Sequence, residues 1–252
     1  MKRASARIAA MIAVSIALLT LLPAGCGGNK STKVIVASGY KKQFLINGDL
    51  ALVMIDQSPN LIYLGDVRKS LHGVAGDRNV STNKLVWDFF FSQLLRDIVK
   101  EIDVTDAFKA EVVQDYRVTK DFFRTSEEDI TLEIPAKGTK FTFGSREPAL
   151  VLFLDKIRVG TETDPYFQER AQHGLYVSNA RKLVYLATFI LWDNREFTPI
   201  CYGRVKTFTP IVREEAVIAD WEEVSRELVR AIFAPTGFQK REDKTTGVEL
   251  IR

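Results

Sequence analysis

The segment Lys182-Leu-Val-Tyr-Leu-Ala-Thr-Phe-Ile-Leu-Trp192 runs into Asp193-Asn194-Arg195-Glu196, and the chain then returns through residues 199–207. A nearly unbroken apolar run, rich in β-branched and aromatic residues, reads as a strand covered on both faces. The polar turn and the returning segment make it one arm of an antiparallel hairpin.

Working outward, residues 149–159 (Ala-Leu-Val-Leu-Phe-Leu-Asp-Lys-Ile-Arg-Val) start as another buried strand and become half exposed. Residues 51–55, Ala-Leu-Val-Met-Ile, form a short continuous apolar run that ends at Asp56, with a Ser58-Pro59-Asn60 turn after it. Residues 33–37 form an edge strand, and residues 108–118 form a partly alternating one. Between 119 and 149 lies an insertion. Its alternating runs 130–134 and 140–143 flank Pro135-Ala-Lys-Gly138 and are expected to pair as a hairpin, with Ile130, Leu132 and Ile134 on one face.

Two helices complete the pattern. Asn83 is read as the cap of a helix over 84–102, where Trp87, Phe91, Leu94, Leu95, Ile98 and Ile102 recur at helical spacing. Phe89 and Phe90 widen that apolar arc. They are read either as core contacts or as a partner surface, because large exposed apolar patches mark contacts. Asp220 is read as the cap of a second helix that carries Trp221, Val224, Leu228 and Ile232 inward and stops at Pro235 and Gly237. Residues 239–247 read as a polar, frayed end. The expected class is α/β or α+β: a two-layer sandwich of a mixed sheet with a long helix and a C-terminal helix, plus an inserted β-hairpin. A crossover through the first helix would join 51–55 to 108–118.

The amino terminus reads as an address. Lys2, Arg3 and Arg7 precede an apolar run over 8–22, and Leu22-Pro23-Ala24-Gly25-Cys26 closes it. A basic start, an apolar centre and small residues at the cut site are the parts of a secretory signal peptide. The run falls short of the ~20 residues that cross a bilayer. Ala-Gly before Cys26 resembles the bacterial lipobox, with a departure at Pro23, and that resemblance implies lipidation of Cys26. The expected division is a signal peptide over 1–25, a lipid-anchored tether and edge segment over 26–48, a single α/β periplasmic domain over 49–238 with the inserted hairpin around 119–148, and a polar tail over 239–252.

Charge then excludes a class of partner. The chain has 35 Lys and Arg against 32 Asp and Glu, and the three leader cations account for the whole excess. A neutral domain lacks the electrostatic footprint of a nucleic-acid binder. With Cys26 acylated, Cys201 has no partner for a disulfide. In its apolar setting it reads as a buried small side chain. The chain has two histidines, His72 and His173, both in loop-like stretches, so a Cys–His pair is not expected.

The element order resembles the periplasmic domain of the curli-secretion channel lipoproteins (CsgG-like) and the amino-terminal domain of TolB-like proteins. The likeness lies in Leu52-Val53-Met54-Ile55-Asp56, in Pro148-Ala149-Leu150-Val151-Leu152-Phe153-Leu154, in the turn around Leu191-Trp192-Asp193-Asn194-Arg195-Glu196, and in a closing amphipathic helix. It implies a role in envelope assembly, secretion or transport. Some relatives build pores from hairpins, but runs 130–134 and 140–143 are shorter than the ~9–11 residues of a membrane-spanning strand.

No nucleophile elbow, metal-ligand spacing or phosphate-binding loop occurs in the sequence. Asp56, at the carboxyl end of a central strand, is the best single candidate for a polar site; its alternative reading is a turn residue. The expected function is a non-catalytic, lipid-anchored accessory or scaffold. It contacts the membrane through Cys26 and envelope proteins through its surface, uses no cofactor or metal, and is open to oligomerisation. Gly27 after the cysteine favours the outer membrane. The alternatives are a lipid-tethered, carboxylate-dependent hydrolase and a small-ligand or lipid-binding transport module.

Overall fold

The computed structural model describes residues 32–41, 46–55, 60–61, 82–112, 115–125, 128–163, 181–211 and 216–240. The strands in chain order are β1 (Lys33–Val36), β2 (Leu50–Met54), β3 (Asn60–Leu61), β4 (Ala107–Ala110), β5 (Val118–Arg124), β6 (Asp129–Pro135), β7 (Leu150–Thr163), β8 (Arg181–Asp193) and β9 (Thr198–Pro210). Helix α1 (Thr82–Glu101) lies between β3 and β4, and α2 (Ile218–Phe233) follows β9. Among the described residues the main sheet runs β1-β9-β8-β7-β2-β4, with β3 also paired to β7, and β5-β6 forms a separate two-stranded sheet. The fold is thus mixed α/β, as the element order implied. β2 lies parallel to both β4 and β7, while β7, β8, β9 and β1 pair antiparallel.

The continuous apolar strands are explained by what covers them. On one face Leu52, Leu152, Tyr185, Phe189 and Cys201 pack beneath α1 and α2, against Phe90, Leu94, Ile98, Trp221 and Leu228. On the other face Val53, Val151, Phe153, Ile190 and Trp192 meet the β5–β6 hairpin through Phe123, Ile130, Leu132 and Ile134, with Phe141 beside them. Full burial of one such side chain contributes about 1.5–3 kcal/mol, so strands sealed on both sides become apolar at every position. The expected edge strand is β1. Its backbone crosses directly over Gly203, whose φ is +150° and where a Cβ would stand 2.1 Å from the Lys33 carbonyl oxygen.

Five local expectations are corrected. The run 130–134 pairs with Val118–Arg124, not with 140–143. Thr125 and Glu128 close that turn, Thr125 N–H donating to the Glu128 carbonyl at 3.0 Å, and Arg124 grips Asp129 through two hydrogen bonds. Residues 140–143 are tied elsewhere by Asn194. The strand expected over 108–118 divides for the same reason: β4 ends at Ala110, and Val118 opens β5. Helix α1 begins at Thr82, so Asn83 lies inside it. In α2 the N-cap is Val217, and Asp220 caps from the third position by accepting the Val217 N–H at 2.9 Å. The chain beyond α2 is also held in place as far as Lys240. Phe238 is fully buried, its carbonyl accepts the Asp103 N–H, and the Lys240 N–H donates to the Glu101 carbonyl at 2.8 Å.

Candidate functional site

A groove opens where the chain leaving β1 passes the base of the hairpin. It joins two hollows of about 350 and 340 Å³ that share Ser38, Lys137 and Pro199. One wall is the Ser38-Gly39-Tyr40-Lys41 turn, and the other is Thr119–Asp121 with Ile134, Pro135 and Lys137. Thr198, Pro199, Ile200 and Tyr202 of β9 line it between them. The positions follow from the strands. β1 must turn away at Ser38-Gly39, where Gly39 takes φ +87°. The hairpin base is set by the Val118–Pro135 and Thr119–Ile134 pairs.

Three polar groups of the groove, Asp121, Asp193 and Tyr202, are committed to its frame. Asp121 accepts the Phe122 N–H at 2.8 Å and the Tyr202 hydroxyl. Burial, with that carboxylate next to it, pushes the Tyr202 phenol up to about 12. Asp193 is 2% exposed and accepts the N–H groups of Arg195 and Glu196 at 2.9 and 3.1 Å, closing the β8–β9 turn. Lysine ammonium groups, hydroxyls, prolines and two tyrosines suit contact with an extended polar segment.

Further groups lock the frame. Asn194, buried in the turn, accepts the Phe141 N–H and donates to the carbonyls of Phe141 and Pro148 at 2.9 Å each. Arg204, 2% exposed, ion-pairs with Glu128 at the hairpin tip, which Arg158 also approaches at 3.8 Å. Arg146 bonds Asp49 and Asp106 at 2.7 Å each and lies 3.6 Å over the Phe108 ring. That guanidinium holds the Asp106 carboxyl below the usual carboxylate range.

The sequence-derived site residues fare differently. Cys26, Asp56, His72 and His173 lie outside the described residues. Phe90 is 1% exposed and meets Tyr185 and Trp221 edge-on, at centroid distances of 5.6 and 5.4 Å. It is therefore a core residue and not part of an exposed partner surface. Phe89 is half-buried and packs against the same core. Cys201 is buried under α2, its thiol pushed up to about 12 by burial, the opposite of a reactive cysteine. Among the described residues no group of three His, Cys, Asp or Glu side chains gathers as metal ligands. The groove had no signal in the sequence, because its lining comes from three segments spread over some 160 positions whose meeting depends on strand order.

No family model matches the chain, and no curated protein matches it. Among solved structures, a PelC dodecamer from Paraburkholderia phytofirmans is similar at 12% identity and a TM-score of 0.32, over 81% of this chain and 98% of that one. At that score no property of that protein is carried over.

Proposed function

We propose that the protein is a lipid-anchored lipoprotein of the bacterial envelope that works as a non-catalytic accessory or scaffold. An acyl chain on Cys26 holds the α/β domain in the periplasm, at the outer membrane, and protein–protein contacts do the work. The observation that carries this reading is the join between leader and fold. Cys26 stands six positions before Thr32, and Thr32 is already bound to the sheet through its hydroxyl, which accepts the Lys206 N–H at 3.0 Å. A tether that short delivers the fold to a membrane surface.

The groove supports the second half of the reading. It is long and open, walled by a hairpin that is sewn to the sheet, and so offers a preformed surface with little ordering cost on binding. The hairpin also leaves Phe122 61% exposed, an aromatic of the kind that anchors protein interfaces.

The test is palmitate labelling of the full chain in cells, joined to photo-crosslinking from Lys137 in native membranes. The reading expects acyl label in the wild type that disappears in Cys26→Ser. It also expects a discrete crosslinked protein from position 137 that is absent from Glu222 on the outer side of α2. Lack of acyl label, or equal crosslinking from both positions, overturns it.

A further inference from the structure

We infer that one end of the main sheet, the end carrying Arg181, Lys182 and Phe208, rests on anionic lipid headgroups, and that the groove therefore faces away from the bilayer. This rests on acylation at Cys26. The bound comes from chain length. Cys26 is six positions from Thr32, so their Cα atoms are at most about 20 Å apart whatever path the chain takes. Thr32 is pinned beside Lys206, within β9. From Lys206 the strand continues four residues to Pro210 at one end and eight residues back to Thr198 at the other. At ~3.3 Å per residue these are about 13 and about 27 Å. The Thr198 end, with the β8–β9 turn, therefore lies beyond the reach of the tether. The Pro210 end lies within it.

Exposure and local charge suit the Pro210 end to a lipid surface. Around the Thr198 end the acids are matched by bases, Lys41, Lys137 and Lys140 among them. Toward the Pro210 end stand Lys33, Arg181, Lys182 and Lys206, with Glu162 bonded to Lys206 at 2.9 Å. Anionic headgroups attract cations held near the surface, and Arg181 and Lys182 stand at this end. At the same end Phe208 is 42% exposed, with the Lys182 ammonium 4.7 Å from its ring centroid. An exposed aromatic ring next to cations matches the chemistry of the headgroup boundary, where amphipathic side chains settle.

The full-length protein, purified from membranes, is reconstituted into vesicles of phosphatidylethanolamine and phosphatidylglycerol that carry a nitroxide quencher on the headgroup. A fluorophore is attached through Phe208→Cys or, at the opposite end of the same hairpin, through Arg195→Cys. Cys201 is buried and unreactive, so the introduced thiol takes the label. Mass spectrometry of the amino-terminal peptide reports acylation separately. The expected result is acylated protein whose label at 208 loses emission to the quencher while the label at 195 does not. Acylated protein with equal quenching at both positions, or more at 195, overturns the orientation and leaves the lipoprotein reading intact. Protein without an acyl group overturns the lipoprotein reading, and the orientation with it.

Discussion

Gly203 shows how much one absent methyl group decides. The β1 backbone lies on it at a distance that no Cβ could tolerate, and its φ of +150° is strained for any other residue. Gly203→Ala should push β1 off β9 and cost about 1–3 kcal/mol. Hydrogen exchange at Ala37, whose N–H donates to the Ile200 carbonyl at 2.9 Å, and at Ile35 reads the release, and unchanged protection there would show that the edge adapts. Asp97 is a residue of another kind. It is 2% exposed between α1 and α2, accepts a Gln93 amide hydrogen bond at 3.0 Å, and has Ser225 of α2 beside it. Burial raises its carboxyl above the usual aspartate range, against the pull of Ser225, Gln93 and Arg226. The folded chain then binds this proton more tightly than the unfolded chain, so the contribution to stability is full at low pH and is lost as pH rises through the folded-state value. Asp97→Asn keeps the acceptor for Gln93. It should raise Tm at neutral pH, and the gain should close below the unfolded aspartate value of about 3.9. A gain of the same size at pH 3 and pH 7 would contradict this account.

At the scale of elements, the β5–β6 hairpin is held by apolar contact at its inner face and, at its tip, by an ion pair between buried Arg204 and part-exposed Glu128. Removing Glu128 leaves the Arg204 guanidinium at 2% exposure without that carboxylate. Glu128 is itself part-exposed, so its removal should cost about 1–3 kcal/mol, less than breaking a fully buried pair. Glu128→Ala should lower the denaturant midpoint accordingly, and adding Arg204→Met should restore much of the loss because no buried charge remains. A double variant as unstable as the single one would rule out the charge as the cause. The segment after α2 is a second fastening. Phe238 seats in the main core beside the end of α1. Phe238→Ala should cost about 3–5 kcal/mol in the denaturant midpoint, far more than a frayed tail would.

For the whole molecule, Cys201 is a natural probe. Its thiol lies under α2, donates weakly to the Ile232 carbonyl at 3.9 Å, and is pushed up to about 12 by burial. In Cys26→Ser protein, a thiol reagent at neutral pH should label Cys201 only as fast as the fold opens, and denaturant should speed labelling in step with global unfolding. Rapid labelling of the native protein would mean that α2 detaches on its own. Much of this architecture was legible in the chain. The runs at 51–55, 149–159 and 182–192 are apolar at nearly every position because both faces are sealed, and helical spacing marks α1 and α2 because each presents one face to the sheet. Burial written into composition is local information, and it determined the class of the fold and its central strands. The amino-terminal residues likewise led to the proposed lipid anchor. Partnership is not local. The run 130–134 is flanked by two alternating segments, and only the Thr125–Glu128 turn and the Glu128–Arg204 pair decide in favour of β5. Phe90 and Phe89 are alike in type, yet one is sealed by Tyr185 and Trp221 and the other is half-buried. The groove and the close approach of β1 to Gly203 arise only when distant strands align, because each is a relation between segments that no single segment carries.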